Sequence, residues 1–362
     1  MNDKLKNVVV TIAFVFIIVI FFIANIIKKD DTISIAERRK LEQFPQISAK
    51  TVFNGTFFNK FNKYTTDQFV QREEFRKLKI SAEFNLLRKS DYNNLYQYGD
   101  YIISQTYPLN EKSVLNISKK INQIYEQYLT DQNNVYFTIV PDKNYFINDE
   151  NLKLDYNKLE NLLNRNLSFA KYIRIFDMLE LEDYYKTDTH WKQERLLKVA
   201  KTIAESMNVN LENEYKEKTI CDFQGTYSGQ LPISTAKDKI KILTNSEIEK
   251  SKVYNYETKK ENKVYNMEKI NSLDKYDIYL SGATPVLKIE NPENKTANEL
   301  IIFRDSYASS LVPLFIPKYS KITLIDTRYI SPKLLPNYVE FNNQDILFMY
   351  STLVINNSYS LK

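Results

Sequence analysis

A continuous apolar run close to the N-terminus is the first feature of the chain. Val8 to Ile27 is twenty residues long and carries no charge, with Lys4 and Lys6 before it and Lys28 and Lys29 after it. At 1.5 Å per residue, a helix of this length spans about 30 Å, the thickness of a bilayer core. A cleaved signal peptide has a shorter apolar region, followed by an A-x-A-like cleavage site, and neither feature is evident in this chain. The run therefore predicts an uncleaved anchor that crosses the membrane once.

Behind this anchor, assigned to residues 1–30, apolar and aromatic positions recur at helical spacing. Between residues 57 and 87 they lie three to four positions apart. This set contains Phe58, Phe61, Phe69, Phe75, Leu78, Ile80, Phe84 and Leu87. A short hairpin is expected from Tyr96 to Ile103, around Gly99. The pattern predicts a juxtamembrane helical region over residues 31–110.

From residue 111 onward, helical patterns alternate with apolar runs of strand length. The predicted helices cover about residues 110–129, 155–168, 192–207 and 307–315. The predicted strands cover residues 134–140, 172–176, 299–303, 321–325 and 345–350. Strands that alternate with helices indicate a parallel sheet with crossover helices. The sequence therefore predicts an α/β domain over residues 111–362.

One stretch of this domain, residues 209–298, breaks the alternation. It is dense in Lys, Glu, Asn and Tyr, and it contains short β-like runs at residues 239–243 and 276–280. We interpret it as a mainly β insertion or lid. Its charges are typical of a solvated face.

Composition narrows the classes of function. Lys and Arg number 50 against 45 Asp and Glu, and a net charge of +5 is too small to indicate a nucleic-acid-binding protein. The five glycines form no G-x-G-x-x-G, Walker or G-x-S-x-G motif. A single cysteine, Cys221, excludes an internal disulfide, and a single histidine, His190, excludes a His-rich zinc site. We expect no metal and no cofactor, and any histidine chemistry must use His190.

Two segments carry candidate chemistry. Asp188 and His190 are two residues apart, so the carboxylate is able to accept a hydrogen bond from Nδ1–H and fix the tautomer of the ring. Ser306 stands where the apolar strand 299–303 turns into a helix, a position whose backbone N–H suits an oxyanion. Sites in open parallel sheets form at the carboxyl ends of strands, where the predicted sheet places both segments.

A structural interpretation accounts for the same residues. Asp188 or Thr189 could cap a helix near residue 191, and Asp305 or Ser306 could cap a helix near residue 307. A lone histidine is also more often structural than catalytic. The conjunction of both segments at strand ends favours catalysis, but spacing alone leaves the two interpretations open.

A resemblance to a known family adds to this pattern. Asp188, Thr189, His190 and Trp191 resemble the Asp-His-His-Trp signature of DHHW-type proteins, which are relatives of the alginate O-acetylation proteins in the SGNH (GDSL-like) hydrolase superfamily. Residues 303–308 (FRDSYA) resemble the Asp-Ser nucleophile block of that family. Further similar segments follow in order at residues 67–72, 140–143, 325–329 and 345–350, so the resemblance covers about residues 40–357. It departs at Thr189, where the family has His, and at Arg304, where the superfamily has Gly.

The resemblance implies an SGNH/flavodoxin-like fold and a triad of Ser306, His190 and Asp188 that forms an acyl-serine. Oxyanion donors in SGNH proteins include a Gly and an Asn, which implies Gly225 and Asn356 here, with Gly229 and Asn357 as the respective alternatives. Residues expected to bind a sugar are Tyr185, Trp191, Tyr307, Arg328 and Tyr329. With 27 tyrosines in the chain, composition by itself explains most of the aromatic ones.

The function that the resemblance implies is acetyl transfer to an exported or cell-wall polysaccharide. The acetyl group would come from a membrane-bound O-acyltransferase partner, and the single-pass anchor would hold the body outside the cytoplasm. Two other interpretations stay open. One is a carbohydrate acetylesterase with the same triad, and the other is a non-catalytic protein of envelope or spore assembly.

Overall fold

The computed structural model describes residues 3–148, 152–232 and 236–362. Its α-helices are α1 (Asp3–Ile27), α2 (Ala49–Phe53), α3 (Thr56–Asp67), α4 (Arg72–Ser81), α5 (Glu111–Tyr128), α6 (Tyr156–Asn166), α7 (Leu197–Ser206), α8 (Thr226–Gln230), α9 (Ser246–Lys250), α10 (Ala308–Leu311) and α11 (Thr352–Ile355). Its strands are β1 (Ile33–Ser34), β2 (Arg39–Lys40), β3 (Leu95–Tyr98), β4 (Tyr101–Ser104), β5 (Val135–Val140), β6 (Lys171–Tyr172), β7 (Lys216–Phe223), β8 (Asp238–Thr244), β9 (Lys252–Asn255), β10 (Lys260–Asn262), β11 (Val286–Glu290), β12 (Glu299–Arg304), β13 (Lys321–Ile325) and β14 (Asp345–Ser351).

Two compact units divide the chain. One comprises Met1–Ser90 with Gly229–Ile233, and the other comprises Asp91–Ser228 with Ser234–Lys362. The division into an anchor, a juxtamembrane region and a catalytic domain stays a prediction of the sequence.

The first unit begins with α1, which contains the whole predicted apolar run. Over the described part of the chain, α1 is the one helix long and apolar enough to cross a membrane, and none of its residues is buried. Such a helix is compatible with a single-pass anchor or with a signal sequence. Helices α3 and α4 follow, where the three-to-four spacing predicts them, and a π-helical turn at Ala82–Leu86 extends α4.

An eight-stranded sheet organises the second unit, in the order β10-β9-β11-β13-β12-β14-β5-β6. The five strands from β13 to β6 pair in parallel, whereas β11, β9 and β10 join one side in antiparallel pairs. The predicted α/β fold with a mostly parallel sheet is therefore confirmed. The carboxyl ends of β13, β12, β14 and β5 meet at a single edge.

Apolar layers cover both faces of this sheet. Along β12, Leu300 and Ile302 enter the layer that contains α7, whereas Ile301 and Phe303 enter the layer that contains α5 and α6. Side chains alternate between the two faces of a strand, so a strand covered on both faces has no polar alternation. This explains why the central strands appear in the sequence as continuous apolar runs.

Three predicted elements differ in the structure. The run at 172–176 forms a strand only at Lys171–Tyr172, and 276–280 forms no strand, because Lys275–Ile278 is a 3-10 helix. The helix expected at 307–315 is α-helical only in α10 and continues as a 3-10 helix. That second segment contains Pro313 and Pro317, which have no backbone N–H to continue an α-helical ladder.

The insertion at 209–298 is rich in strands, but it is not a separate lid. Strands β7 and β8 form a hairpin of their own, while β9, β10 and β11 extend the main sheet. Half of the insertion is therefore part of the α/β framework. These strands fit the mainly β insertion that the sequence predicts inside the α/β domain.

Candidate active site

Ser306 lies in the turn that follows β12, at the carboxyl edge of the sheet. The buried Asp305 carboxylate closes this turn, because it accepts hydrogen bonds from the N–H groups of Tyr307 (3.0 Å) and Ser351 (2.7 Å). Asp305 thus acts as a structural cap and also ties β12 to the end of β14. Ser306 itself is partly exposed, and in the described ranges its N–H has no protein acceptor. A nucleophile and a backbone donor are therefore presented together.

A second buried carboxylate fixes the neighbouring strand ends. Asp142, directly after β5, accepts hydrogen bonds from the hydroxyls of Thr352 (2.6 Å) and Tyr156 (3.1 Å). Burial raises the pKa of Asp142, which the two hydroxyl donors partly oppose. The bond to Thr352 connects β5 to β14 at the edge where Ser306 lies.

The only histidine is presented by a tight loop. Tyr184 and Trp191 pair across the base of this loop, and the Tyr185 N–H donates to the His190 carbonyl (3.0 Å). The Asp238 carboxylate accepts the N–H of Thr187 (2.9 Å) and holds the loop from outside. Asp188 does not cap the helical turn that follows it in the chain, since that turn has Lys192 as its N-cap.

The two candidate segments meet in space although they are 116 residues apart in the chain. His190 Nε2 lies 2.8 Å from Ser306 Oγ, and His190 Nδ1 lies 2.6 Å from Asp188 Oδ1. Both distances fall in the range of charge-assisted or catalytic hydrogen bonds. The arrangement is capable of moving a proton from the serine hydroxyl to the imidazole while the carboxylate holds the ring.

Asp188 is fully buried and accepts three donors. Besides the imidazole, Oδ1 accepts the His190 N–H (3.1 Å) and Oδ2 accepts the Thr226 N–H (2.8 Å). Burial acts to raise the pKa of Asp188, but the adjacent His190 charge and these hydrogen bonds outweigh it and hold the pKa below its usual range. Asp188 is therefore a carboxylate throughout the physiological range of pH.

Gly225 has a steric role rather than the predicted oxyanion role. A Cβ added at Gly225 would lie 2.2 Å from Asp188 Cβ and 2.5 Å from the Thr187 carbonyl oxygen. The Gly225 N–H donates to Thr187 Oγ1 (2.9 Å), so it is not free to bind an oxyanion. Only glycine allows the insertion to approach the Asp188 loop this closely.

The side chain of Asn356 also forms hydrogen bonds with other parts of the chain. Its Oδ1 accepts the Asn110 N–H (2.6 Å) and its Nδ2 donates to the Pro108 carbonyl (3.1 Å). The prediction of Asn356 as an oxyanion donor is therefore not supported. A second donor beside the Ser306 N–H is not identified by the sequence.

Most residues predicted to bind a sugar are part of the core. Tyr185 and Trp191 are completely buried and Tyr307 is 2% exposed, so none offers a ring face to a ligand. Packing in the core, rather than contact with a sugar, accounts for these three side chains. Arg328 pairs with the Asp326 carboxylate (2.6 Å) and its guanidinium lies over the ring of Tyr329, 5.5 Å from the centroid. Tyr329 is nevertheless 47% exposed.

Sequence reasoning missed Tyr276, whose ring stacks on the imidazole. The centroids of Tyr276 and His190 are 3.8 Å apart and the planes differ by 9°. The Tyr276 hydroxyl donates to Ser310 Oγ (2.8 Å), which also accepts the Trp191 indole N–H (3.0 Å). This stack holds the plane of the imidazole beside Ser306. Among 27 tyrosines, no sequence signal distinguishes this one.

Lys143 ends the family-like segment 140–143 after β5, but nothing in the sequence assigned it a role in the site. The buried ammonium donates to the carbonyls of Ile102 and Tyr185, the latter at 3.0 Å. Burial lowers the pKa of Lys143 to about 7, although the negative charges of Asp188 and Asp238 act to raise this pKa. Lys143 thereby connects the β3–β4 hairpin to the start of the histidine loop.

Comparisons with known proteins place this fold beside several solved structures. A DHHW family protein from Eubacterium siraeum superposes with a TM-score of 0.60 at 21% identity, covering 75% of this chain and 94% of that chain. PatB1 from Bacillus cereus superposes with a TM-score of 0.58 at 17% identity, covering 72% and 96%. PatB1 is also known with a sulfonyl adduct, in a structure that superposes with a TM-score of 0.56.

The O-acetyltransferase domain of Pseudomonas putida AlgJ superposes less well, with a TM-score of 0.46 at 10% identity over 73% of this chain and 92% of that chain. At that distance the similarity carries no argument about this chain. Neither a protein-family profile nor a curated protein sequence matches the chain. The chain therefore shares its fold with that DHHW family protein and with PatB1, and the roles of its residues rest on its own geometry.

A first test of the site concerns the charge of Asp188. In Asp188→Asn, one amide –NH₂ must face a backbone N–H, because both carboxylate oxygens accept such donors. We expect a loss of about 1–3 kcal/mol in the free energy of unfolding from this clash. We also expect about a 10⁴-fold loss of serine reactivity, because the tautomer is no longer fixed.

Because the chain has a single histidine, every imidazole signal in a ¹⁵N spectrum belongs to His190, and the spectrum reports the tautomer of its ring directly. The wild type should show a protonated Nδ1 that the variant lacks. An unchanged spectrum together with full reactivity would contradict the role of Asp188.

A second test uses Gly225→Ala. The added Cβ meets backbone and Cβ atoms that no side-chain rotation removes, so Asp188 must move. We expect about 1–3 kcal/mol of destabilisation and a clear loss of serine reactivity.

Gly99→Ala is the matched control. Gly99 has φ +54° but nothing within 4 Å of an added Cβ, so this variant is strained without affecting the site. Thermal unfolding and labelling of Ser306 compare the two. Equal labelling of both variants would show that Gly225 is unimportant for the site.

Proposed function

We propose that this chain is a serine-dependent acyl-transferring enzyme in which Ser306 is the nucleophile, His190 the general base and Asp188 the residue that orients the ring. The observation that carries the proposal is the continuous chain of hydrogen bonds from Ser306 Oγ through both imidazole nitrogens to Asp188. The exposure of Ser306 at the sheet edge, next to a buried relay, supports a reacting group rather than a structural one.

The reaction proceeds in two steps, acylation of Ser306 and transfer of the acyl group to an acceptor. Ser306 Oγ attacks the carbonyl carbon of an acetyl ester and gives its proton to His190 Nε2, and the leaving alcohol takes that proton when its C–O bond breaks. His190 then removes a proton from the acceptor hydroxyl as the acceptor oxygen attacks the acyl carbon, and it returns that proton to Ser306 Oγ when the bond between Oγ and the acyl carbon breaks. Such base catalysis is typically worth about 10²–10⁴-fold.

The unpaired Ser306 N–H is the protein donor that we assign to the oxyanion. A backbone donor directed at the developing negative charge is worth about 2.7–4 kcal/mol in related sites. The stacked Tyr276 ring supports the same step, since it holds the imidazole in the plane from which Nε2 reaches Ser306 Oγ.

For the physiological reaction, we propose O-acetylation of an exported or cell-wall polysaccharide. The O-acetyltransferase resemblance of the sequence supports this substrate class, and α1 supports a body held at a membrane. A single-pass anchor that leaves the body outside the cytoplasm fits an acetyl donor supplied by a membrane-bound O-acyltransferase. Exposed Tyr329 is the sugar contact that we retain.

An active-serine probe tests the nucleophile. A fluorophosphonate or sulfonyl fluoride should label the wild-type chain at Ser306, as shown by mass spectrometry of the labelled peptide. Ser306→Ala should abolish labelling, and His190→Ala should slow it by about 10² or more. The control is Ser309→Ala, which alters a nearby buried hydroxyl that contacts Arg304 rather than His190. Absence of labelling in the wild type would favour the scaffold interpretation.

The fate of the acetyl group separates transfer from hydrolysis. With p-nitrophenyl acetate as donor, we expect nitrophenol release that increases with a soluble cell-wall glycan and leaves acetyl esters on the glycan. Ser306→Ala should form neither product. Acetate release that is independent of the glycan would identify an esterase with the same triad.

A further inference from the structure

An apolar groove runs along α1 within the first unit and has a volume of about 850 Å³. On one side it is lined by α1 residues Ile17, Ile18, Phe21, Phe22 and Ile26. On the other side lies a set that we call the aromatic wall, made of Phe44, Phe61, Tyr64, Phe69 and Phe75. The groove belongs to no step of the acyl-transfer mechanism.

The aromatic wall contacts α1 well inside the apolar run. The Phe21 ring stacks on Phe69 at 5.7 Å and 13°, and it meets Phe75 edge-on at 5.7 Å and 60°. Phe21 precedes Ile27 by six residues, which corresponds to about 9 Å along the helix axis. If α1 crosses a bilayer, both rings must lie about 9 Å inside the level at which the apolar run ends.

Polarity along the groove changes with depth. The lining near the end of α1 includes Asn25, Lys28, Thr65 and Gln68, whereas the deeper lining is aliphatic and aromatic. Asn25 Oδ1 accepts the Val70 N–H (2.9 Å), which fixes the polar end of α1 against the chain between α3 and α4. A phospholipid has the same order of polarity, with a polar headgroup above apolar chains.

Side chains of the aromatic wall are left uncovered by the protein. Phe44, Phe61, Phe69 and Phe75 are between 36% and 53% exposed. A contiguous apolar surface of this kind marks an interaction site. On α3, Lys63 lies about 200° around the helix from Phe61, so the helix is amphipathic. Interfacial amphipathic helices bury their apolar faces about 5–10 Å into a leaflet, which matches the depth of Phe69 and Phe75.

We propose that α3 and α4 form a second membrane contact, in which the aromatic wall is immersed in the leaflet beside α1 and a phospholipid acyl chain occupies the groove. Transmembrane helices that pack on one another use small residues at the contact, whereas this groove is lined by large side chains, which favours lipid as the occupant. The inference rests on α1 crossing the membrane, as the proposed function requires, but not on the chemistry of Ser306.

The test uses the full chain with Cys221→Ser, reconstituted into vesicles of phosphatidylcholine and phosphatidylglycerol. A bimane label is attached at Phe61→Cys in one sample and at Lys63→Cys in the other, which is the matched control on the opposite side of α3. Quenching is measured with a lipid that carries a nitroxide near the top of its acyl chain and, separately, with aqueous iodide. We expect the nitroxide to quench position 61 about threefold more than position 63, and iodide to show the reverse order.

Equal quenching of both positions by iodide, with little nitroxide quenching, would overturn the proposal, because the wall would then face water. Protection of position 61 from both quenchers would also overturn it, because a protein surface would then cover the wall. Far-UV circular dichroism and a cooperative thermal unfolding transition like that of the parent chain verify that each variant is folded. Since quenching does not depend on that reaction, failure of the lipid contact and failure of the proposed function are distinguishable.

Discussion

The candidate site depends on one buried carboxylate. Asp188 accepts the imidazole Nδ1–H, the His190 N–H and the Thr226 N–H, and thereby joins the histidine loop to the insertion that follows it. A buried charge is stable only when its hydrogen-bonding capacity is used, so these donors are a condition for its presence. Gly225 is the consequence, because the donor at Thr226 reaches Asp188 only where the chain has no Cβ. The imidazole is directed at Ser306 as a result.

Ser306 is positioned by a separate set of contacts, which do not involve Asp188. The parallel sheet brings the ends of β12, β14 and β5 to one edge, and the carboxylates of Asp305 and Asp142 tie those ends together. The insertion, which interrupts the α/β pattern in sequence, supplies the other side of the site through Thr226 and Tyr276. A segment that resembles a peripheral addition therefore supports the proposed general base, and three of its strands extend the sheet.

Burial decides which aromatic residues are available to a ligand. Tyr185, Trp191 and Tyr307 lie close to the candidate triad in sequence, yet all three pack in the core. Tyr276 is distant from the triad in sequence and stacks on its imidazole. A chain with 27 tyrosines uses most of them as core residues with a hydroxyl that needs a partner, so residue type by itself does not identify a binding surface.

The sequence by itself determined the α/β class, the apolar helix at the N-terminus and most of the central strands, because hydrophobic periodicity is a local property. Spacing alone left the roles of Ser306, His190 and Asp188 open, and the family resemblance was needed to predict that they act together. The sequence did not determine the oxyanion donors, the aromatic contacts or the true extent of the strand at Lys171–Tyr172. Those features depend on which backbone groups already have partners, which rings are covered and how closely two distant segments approach. Only the tertiary structure decides these, since Gly225, Asn356 and Trp191 have their roles set by neighbours that lie far away in the chain.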